Sequence, residues 1–319
     1  MSLDSTSVDL QAHPALAGIT VFERGWLSSN NVLIHARGDE PGAVLVDSGH
    51  VSHAAQTEAL VRHALQGRPL ARIVNTHLHS DHCGGNAALQ RAFGAEVLTP
   101  PGHADAVRRW DEETLSYAPT GQHCERFELH GTLVPGEPVR AGGRQFEVIA
   151  APGHDPESVV LFDAASGLLI SADALWENGF GVVFPELEGE SAFDDVATVL
   201  DMIERLPVSV VVPGHGRPFT DVPAALARAR TRLASFVNDP QRHARYAAKV
   251  LISFHLMEVR GQTLPELVEW VERTRYFASV WQSSGQAESR SPAAWGELLA
   301  SELVASGAAR RVGERIEPA

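Results

Sequence analysis

The 319-residue sequence predicts a layered α/β fold, and three observations carry that expectation. Short apolar runs of strand length alternate with amphipathic stretches through the first two-thirds of the chain. Several of those runs end in sharp turns bearing His or Asp, the place where open α/β sheets gather their ligands. Composition is that of a chain with a sizeable core, 44% hydrophobic and 21% charged.

Taken in order, Ile19–Phe22, Val32–Ala36 and Ala43–Asp47 read as strands from their β-branched and apolar content. The turn Asp47-Ser-Gly-His50 leads from the third into a helix over His53–Leu65. Strands follow at Arg72–Asn75 and Glu96–Thr99, with helices at Gly85–Phe93 and His103–Arg109. Leu129–Gly143 is rich in Gly and Pro and reads as a loop or hairpin. Gln145–Ala150, Val159–Asp163, Leu168–Ala172 and Val208–Val212 complete the strands, and Phe193–Arg205 and Val222–Val237 the helices. Strands and helices are mixed rather than segregated, which is the signature of layers.

Asn238-Asp239-Pro240 then breaks the chain. It divides a main domain over residues 1–237 from an extension over residues 238–319. The extension shows helical patterns at Arg242–Glu258, Leu264–Arg273 and Pro292–Ser306, then a short basic tail able to form one hairpin. Three helices with a terminal ribbon resemble a winged helix; a plain helical cap is the alternative.

The formal charge of −14 is uneven. Residues 1–220 carry 13 Lys and Arg against 29 Asp and Glu, whereas residues 221–319 carry 13 against 11. An acidic main domain argues against nucleic acid, whose phosphates need a positive surface. No run of eighteen apolar residues suggests a membrane span. The amino terminus lacks the basic and apolar regions of a signal peptide and is expected to be frayed. With only Cys83 and Cys124, a disulfide framework is excluded, and a reducing cytoplasm is the expected location.

The stretch NTHLHSDHCGGN, Asn75 to Asn86, crowds His77, His79, Asp81 and His82 into one turn. Two neighbouring groups of ligands result, with His77 and His79 facing one way and Asp81 and His82 another. Three further runs end on ligand types: FEVIAAPGH at His154, LLISAD at Asp173 and VVVPGH at His215. Pro-Gly before His154 and His215 supplies the sharp turn that brings an imidazole back over the strand ends. Five imidazoles and two carboxylates without a thiolate suit zinc, manganese or iron(II).

With those motifs in that order, the chain resembles the metallo-β-lactamase superfamily. THLHSDH at Thr76–His82, PGH at Pro152–His154, the strand-ending Asp173, PGHG at Pro213–Gly216 and the VDSGH turn around Asp47 carry the resemblance, which spans roughly residues 18–235. It implies a four-layer αββα sandwich over the main domain, with metals at one edge between the sheets. It implies two divalent metal ions, Zn2+ first, with Mn2+ or Fe2+ as alternatives. His77, His79 and His154 would hold the first; Asp81, His82 and His215 the second; Asp173 would bridge them. The extension resembles the C-terminal part of the β-lactamase-like protein 2 group.

Such a pair of ions shares a water, lowers its pKa towards 7 and delivers hydroxide to an electrophile. Asp81 is the expected orienter of that nucleophile or proton carrier for the leaving group. The expected function is hydrolysis of a small ester, thioester, lactone or amide. Trp176, Phe180, Phe184 and Tyr117 are the candidate substrate pocket, and the insert Trp110–Arg126 a candidate lid. Cys83, next to His82, reads as a packing residue. No basic residues are evident that would hold a glutathione carboxylate. Two alternatives use the same centre: a phosphodiesterase or ribonuclease, drawing on Arg228, Arg230, Arg232, Arg242, Arg245 and Lys249, and a mononuclear-iron persulfide dioxygenase. A small-molecule substrate is expected, without nucleic acid or membrane, and a homodimer is compatible with the sequence.

Overall fold

Residues 12–319 are described by a computed structural model; the expectation of a frayed terminus falls on residues 1–11, outside them. Strands β1 (Ile19–Phe22), β2 (Asn31–Ile34), β3 (Ala43–Val46), β4 (Leu70–Val74), β5 (Glu96–Thr99) and β6 (Gly131–Thr132) form one sheet in sequence order. A second sheet holds β7 (Pro138–Ala141), β8 (Arg144–Ala150), β9 (Val159–Asp163), β10 (Leu168–Ala172) and β11 (Val210–Pro213), in the order β11-β10-β9-β8-β7. Helices α1 (Ala54–Leu65), α2 (Ser80–Cys83), α3 (Asn86–Phe93), α4 (Ala104–Arg109) and α5 (Tyr117–Thr120) accompany the first sheet; α6 (Phe184–Leu187) packs with the C-terminal residues instead, and α7 (Phe193–Arg205) and α8 (Val222–Asn238) accompany the second sheet.

Strand alternation explains the stacking, because neighbouring side chains point to opposite faces of a sheet. Val32, Ile34, Val44, Val46 and Val74 meet Phe146, Val148, Leu161, Ile170, Val210 and Val212 between the two sheets. Their neighbours Leu33, Leu45 and Ile73 turn outward onto Val61, Leu65 and Leu89 of α1 and α3. Val160, Phe162 and Val211 turn outward onto Val196, Leu200, Ile203 and Leu226 of α7 and α8. Both faces of β2, β3, β9, β10 and β11 are therefore apolar, as their unbroken hydrophobicity requires, whereas β7 and β8 at the edge of the second sheet alternate with exposed polar residues. The result is the αββα sandwich.

The Gly- and Pro-rich stretch expected as loop or hairpin contains β6 and β7, and β7 pairs antiparallel with β8 through Pro138↔Glu147 and Ala141↔Arg144. Beyond α8 the chain forms α9 (Pro240–Val259), β12 (Gln262–Thr263), α10 (Leu264–Arg273), α11 (Arg275–Ser283), α12 (Pro292–Ala305), β13 (Ala309–Val312) and β14 (Arg315–Pro318). The three strands pair in the order β12-β14-β13, which is a winged-helix arrangement with one extra helix. That extra helix is α11, where the aromatic and β-branched residues of RYFASVWQS dilute the helix formers Arg275, Ala278 and Gln282 and leave a weak local signal. Thr263 and Glu266 close a capping box at the start of α10. Trp295, Phe277 and Val280 fill the interior of this lobe, all fully buried.

His243 ties the lobe to the main domain. Its Nε2 accepts a hydrogen bond from the Val183 amide at 3.2 Å, and Phe193 and Phe236 pack on its ring. Burial pulls its pKa down from 6.5 to about 4. As pH falls below 6.5 the unfolded chain therefore takes up this proton first, and the stabilisation is lost progressively down to about pH 4. Between pH 7 and pH 5 that amounts to about 2 kcal/mol. Replacing His243→Gln should shrink the difference in unfolding free energy between those pH values by a comparable amount. An unchanged difference would refute the assignment.

Candidate metal centre

Each predicted ligand sits just past a strand's carboxyl end. His77 and His79 follow β4, and Asp81 and His82 lie on the single-turn helix α2 that the loop runs into. His154 follows β8, Asp173 follows β10 and His215 follows β11. The sheets are laced together here, since the Val159 amide donates to Thr76 O at 2.9 Å and Asn30 Nδ2 donates to Pro213 O and Gly216 O at 2.9 and 2.7 Å. Asn30 thereby clamps the turn that carries His215. Gly214 in that turn faces Asp173 so closely that a Cβ would lie 2.1 Å from Asp173 Oδ1. Gly153 before His154 has φ +129° and abuts Val196, a position only glycine fills.

The structure brings all seven side chains together. His77 Nε2 lies 3.0 Å from His79 Nδ1, which lies 2.8 Å from His154 Nε2. Tetrahedral donors around a zinc ion stand about 3.3 Å apart, so these three lone pairs surround a site of ionic size. His215 Nε2 lies 3.0 Å from Asp81 Oδ2, and His82 Nε2 lies 3.5 Å from oxygens of both Asp81 and Asp173. Asp173 reaches across, 3.4 Å from His154 Nε2 and 3.8 Å from His215 Nε2. Three donor groups result: His77, His79 and His154; His77, His82 and Asp173; and Asp81, His82 and His215.

Supporting hydrogen bonds set the tautomers. His82 Nδ1 donates to Asp47 Oδ2 at 2.8 Å and His154 Nδ1 donates to Val182 O at 2.6 Å. Each turns the opposite nitrogen, Nε2, toward the site, where it offers a lone pair when the ring is neutral. Asp47 is itself held by the Thr76 amide and hydroxyl at 2.9 and 2.8 Å. Trp176 Nε1 donates to Asp173 Oδ1 at 3.2 Å.

The electrostatics ask for a cation. Burial, reinforced by the neighbouring imidazoles, pulls His77 far below its ordinary pKa and His79 to about 4, so both are neutral donors at pH 7. Burial pushes the Asp81 carboxyl up, yet His82 and His215 outweigh it and hold it at about 2. Burial likewise opposes a charge on His82, but Asp81, Asp47 and Asp173 prevail and lift its pKa well above 6.5. Yet His82 Nε2 is buried with no hydrogen-bond partner. A buried polar atom left so is costly, and a metal ion among these oxygens and nitrogens would satisfy it. The residues present fit divalent ions.

Beside the donors lies a cavity of about 360 Å³. Trp176 and Phe184 line it, as the sequence suggests. Phe180 and Tyr117 do not, and both assignments are corrected. Phe180 is buried against Phe236 in the core behind the second sheet. Tyr117 is buried under the metal loop, where its hydroxyl donates to Leu78 O at 2.8 Å and meets Cys83 Sγ at 3.0 Å. Cys83 packs there too, 3.8 Å from Cys124. From the expected lid, Glu113, Pro119 and Gln122 contribute one wall.

Sequence reasoning missed Trp26, whose ring stacks on His215 at 5.3 Å and meets Trp176 edge-on at 5.5 Å. A lone Trp after a Gly in a loop carries no periodicity that would flag it. It also missed the wall given by Tyr246, Val250, Phe254 and Tyr276, which come from the C-terminal lobe.

A family model described as "Metallo-beta-lactamase superfamily" matches residues 24–215. A hydroxyacylglutathione hydrolase from Anaeromyxobacter dehalogenans (strain 2CP-C) is 33% identical over 67% of this chain and 74% of its own length. An acyl-coenzyme A thioesterase from Homo sapiens is 28% identical over 48% of this chain and 58% of its own. Among such relatives the chain spans between 46% and 74% of their length. The crystal structure of a metallo-beta-lactamase family protein from Thermus thermophilus superposes with a TM-score of 0.55 at 21% identity, over 95% of this chain and 99% of that one, a likeness of fold. With more than half of its length matched by that model, the chain belongs to the metallo-beta-lactamase superfamily.

Proposed function

We propose that this protein is a metal-dependent hydrolase of a small carbonyl substrate, an ester or thioester first, with lactones and amides as close relatives. The observation that carries this reading is the orphaned His82 Nε2 among seven converging donors at the mouth of a cavity. The names of the hydroxyacylglutathione hydrolase and thioesterase relatives support acyl transfer to water. Divalent ions held by His77, His79, His154, Asp81, His82, Asp173 and His215 would supply a water acidified towards neutrality and a Lewis acid for the carbonyl oxygen. Asp81, facing His215 Nε2, is placed to accept the proton released in attack and return it to the leaving group. Trp176 holds Asp173 in orientation through its indole N–H. Trp26, Trp176 and Phe184 exclude water on either side of the donors.

The ribonuclease alternative loses support from the fate of its basic run. Arg230 pairs with Asp201 and Glu204, Arg245 and Lys249 with Glu302, and Arg232 lies over the Tyr246 ring. Helix α12, which occupies the position of a reading helix, carries Glu297 and Glu302 but no Lys or Arg.

The test is a panel of esters, thioesters, lactones, amides and RNA with protein loaded separately with zinc, manganese and iron. Turnover of a carbonyl substrate, abolished by a chelator and restored by metal, is the expected result. Cleavage of RNA alone, or oxygen uptake with one iron per chain, would replace this reading. On the active substrate, Trp176→Ala should raise KM several-fold. Trp176→Phe, which restores the ring without the indole N–H, separates the pocket wall from the hydrogen bond to Asp173. If neither variant changed KM or kcat, Trp176 would have no part in the site.

A further inference from the structure

The C-terminal lobe faces the cavity with one side of α9. Tyr246, Val250 and Phe254 are spaced four apart, so they line up on a single helix face, and that face looks into the cavity. The other side of α9, through Ala244, Ala248, Ile252 and Leu256, is sunk in the lobe's own core. From Tyr246 to Phe254 the stripe runs about 12 Å along the helix axis. Phe184 and Tyr276 continue it to the donors: Tyr276 donates to Phe184 O at 3.0 Å, and the Phe184 ring lies 4.9 Å from His79 and 5.4 Å from His154. An apolar wall thus leads from the metal donors outward for the length of a medium acyl chain.

Apart from the imidazoles, the charged side chains that line the cavity are acidic. Asp155, Glu113, Glu188 and Glu190 line the cavity, and among the described residues no Lys or Arg lines it. Arg275 stands beside the rim but is held by Glu113. Glu188 and Glu190 form no ion pair among the described residues, and partial burial together with Glu190 pushes the Glu188 carboxyl above its ordinary range. A leaving group with carboxylates or phosphates, reaching outward from the donors, would therefore meet like charges with no Lys or Arg among the lining residues to receive it; Arg232, over the Tyr246 ring, does not line the cavity.

We infer that the substrate is a neutral or cationic ester or thioester with an apolar acyl chain, which lies along Tyr246, Val250 and Phe254, and that glutathione and coenzyme A thioesters are poor substrates. This rests on the hydrolase reading for the reaction, but the binding preference can be measured without it. Two non-hydrolysable thioethers with the same tail decide the matter, S-octyl-N-acetylcysteamine, which is neutral, and S-octylglutathione, which is net negative.

Calorimetry with the metal-loaded protein should show the neutral ligand binding at least about tenfold more tightly than the glutathione conjugate. It should also bind at least about a hundredfold more tightly than S-methyl-N-acetylcysteamine, the gain expected from full burial of only about three to four of the seven added methylenes. Phe254→Ala and Val250→Ala should each weaken the octyl ligand and leave the methyl ligand unchanged. Glu188→Gln with Glu190→Gln should narrow the gap between neutral and anionic ligands. Equal or tighter binding of S-octylglutathione, or no dependence on chain length in the unsubstituted protein, would overturn the inference. The matching thioesters, octanoyl-N-acetylcysteamine and octanoylglutathione, then report on the reaction. Preferential binding of the neutral thioether with no hydrolysis of any carbonyl substrate would leave the pocket assignment standing and sink the hydrolase reading. Hydrolysis without the neutral preference would do the reverse.

Discussion

Asp173→Ala should reduce turnover by about a thousandfold or more, a loss of about 4 kcal/mol of transition-state stabilisation. It should also remove metal unevenly. Asp173 belongs to the donor group with His77 and His82, and its carboxylate reaches His154 and His215 as well, so its loss opens the boundary between the two candidate sites. The group of His77, His79 and His154 keeps all three nitrogens, and it should retain about one ion per chain. His77→Ala is the contrasting variant. His77 takes part in two of the three groups, so removing it should empty the first site and weaken the second. Metal analysis beside kinetics reads both effects. Because Asp173 is buried among imidazoles, thermal unfolding must accompany the assay, and a folded Asp173→Ala protein with full metal and normal turnover would end the catalytic assignment.

The candidate ligands were legible in the sequence because metal chemistry restricts residue types severely. His77, His79, Asp81 and His82 announce themselves by spacing, and His154, Asp173 and His215 by recurring after apolar strands. The layers were legible for a related reason: strands buried on both faces are continuously apolar, and those from Val159 to Ala172 could hardly be anything else. Aromatic side chains gave no such guidance. Trp176, Phe180 and Phe184 lie within one short segment, yet Phe180 turns into the core while the other two face the cavity. Backbone direction decides between those fates, and it depends on contacts with α8 and the lobe that no local pattern encodes. Tyr117 misled for the opposite reason. Its place in the expected lid put it near the cavity, whereas its hydroxyl is held by the buried Leu78 carbonyl and meets the Cys83 thiol. The wall from α9 was invisible because its helical period was satisfied by the lobe's own core, and a second, half-buried face leaves almost no trace in sequence.

The residue most easily mistaken for an ordinary turn is Asp47, and its replacement should be nearly as severe as loss of a ligand. It lies at φ +55°, a conformation that Asp and Asn tolerate and alanine resists. Its carboxylate accepts three buried donors: the Thr76 amide, the Thr76 hydroxyl and His82 Nδ1. Asp47→Ala therefore strands three donors and strains the backbone at once, with an expected cost of about 3–5 kcal/mol in stability. Asp47→Gly relieves the backbone strain and keeps the hydrogen-bond loss, so the difference between the two variants measures the strain. Asp47→Asn keeps the shape and the tolerated φ but turns one acceptor into a donor facing Thr76 or His82. Stability should suffer less, while His82 loses the partner that fixes its tautomer. Metal affinity at the site that includes His82 should then fall by about 10–100-fold, the usual cost of removing such a support. Titration with zinc against a competing chelator measures this directly. Should Asp47→Asn bind metal as tightly as the unsubstituted protein, the carboxylate would not be what aims His82, and the orientation of that imidazole would have to come from its packing on His77 at 4.0 Å instead.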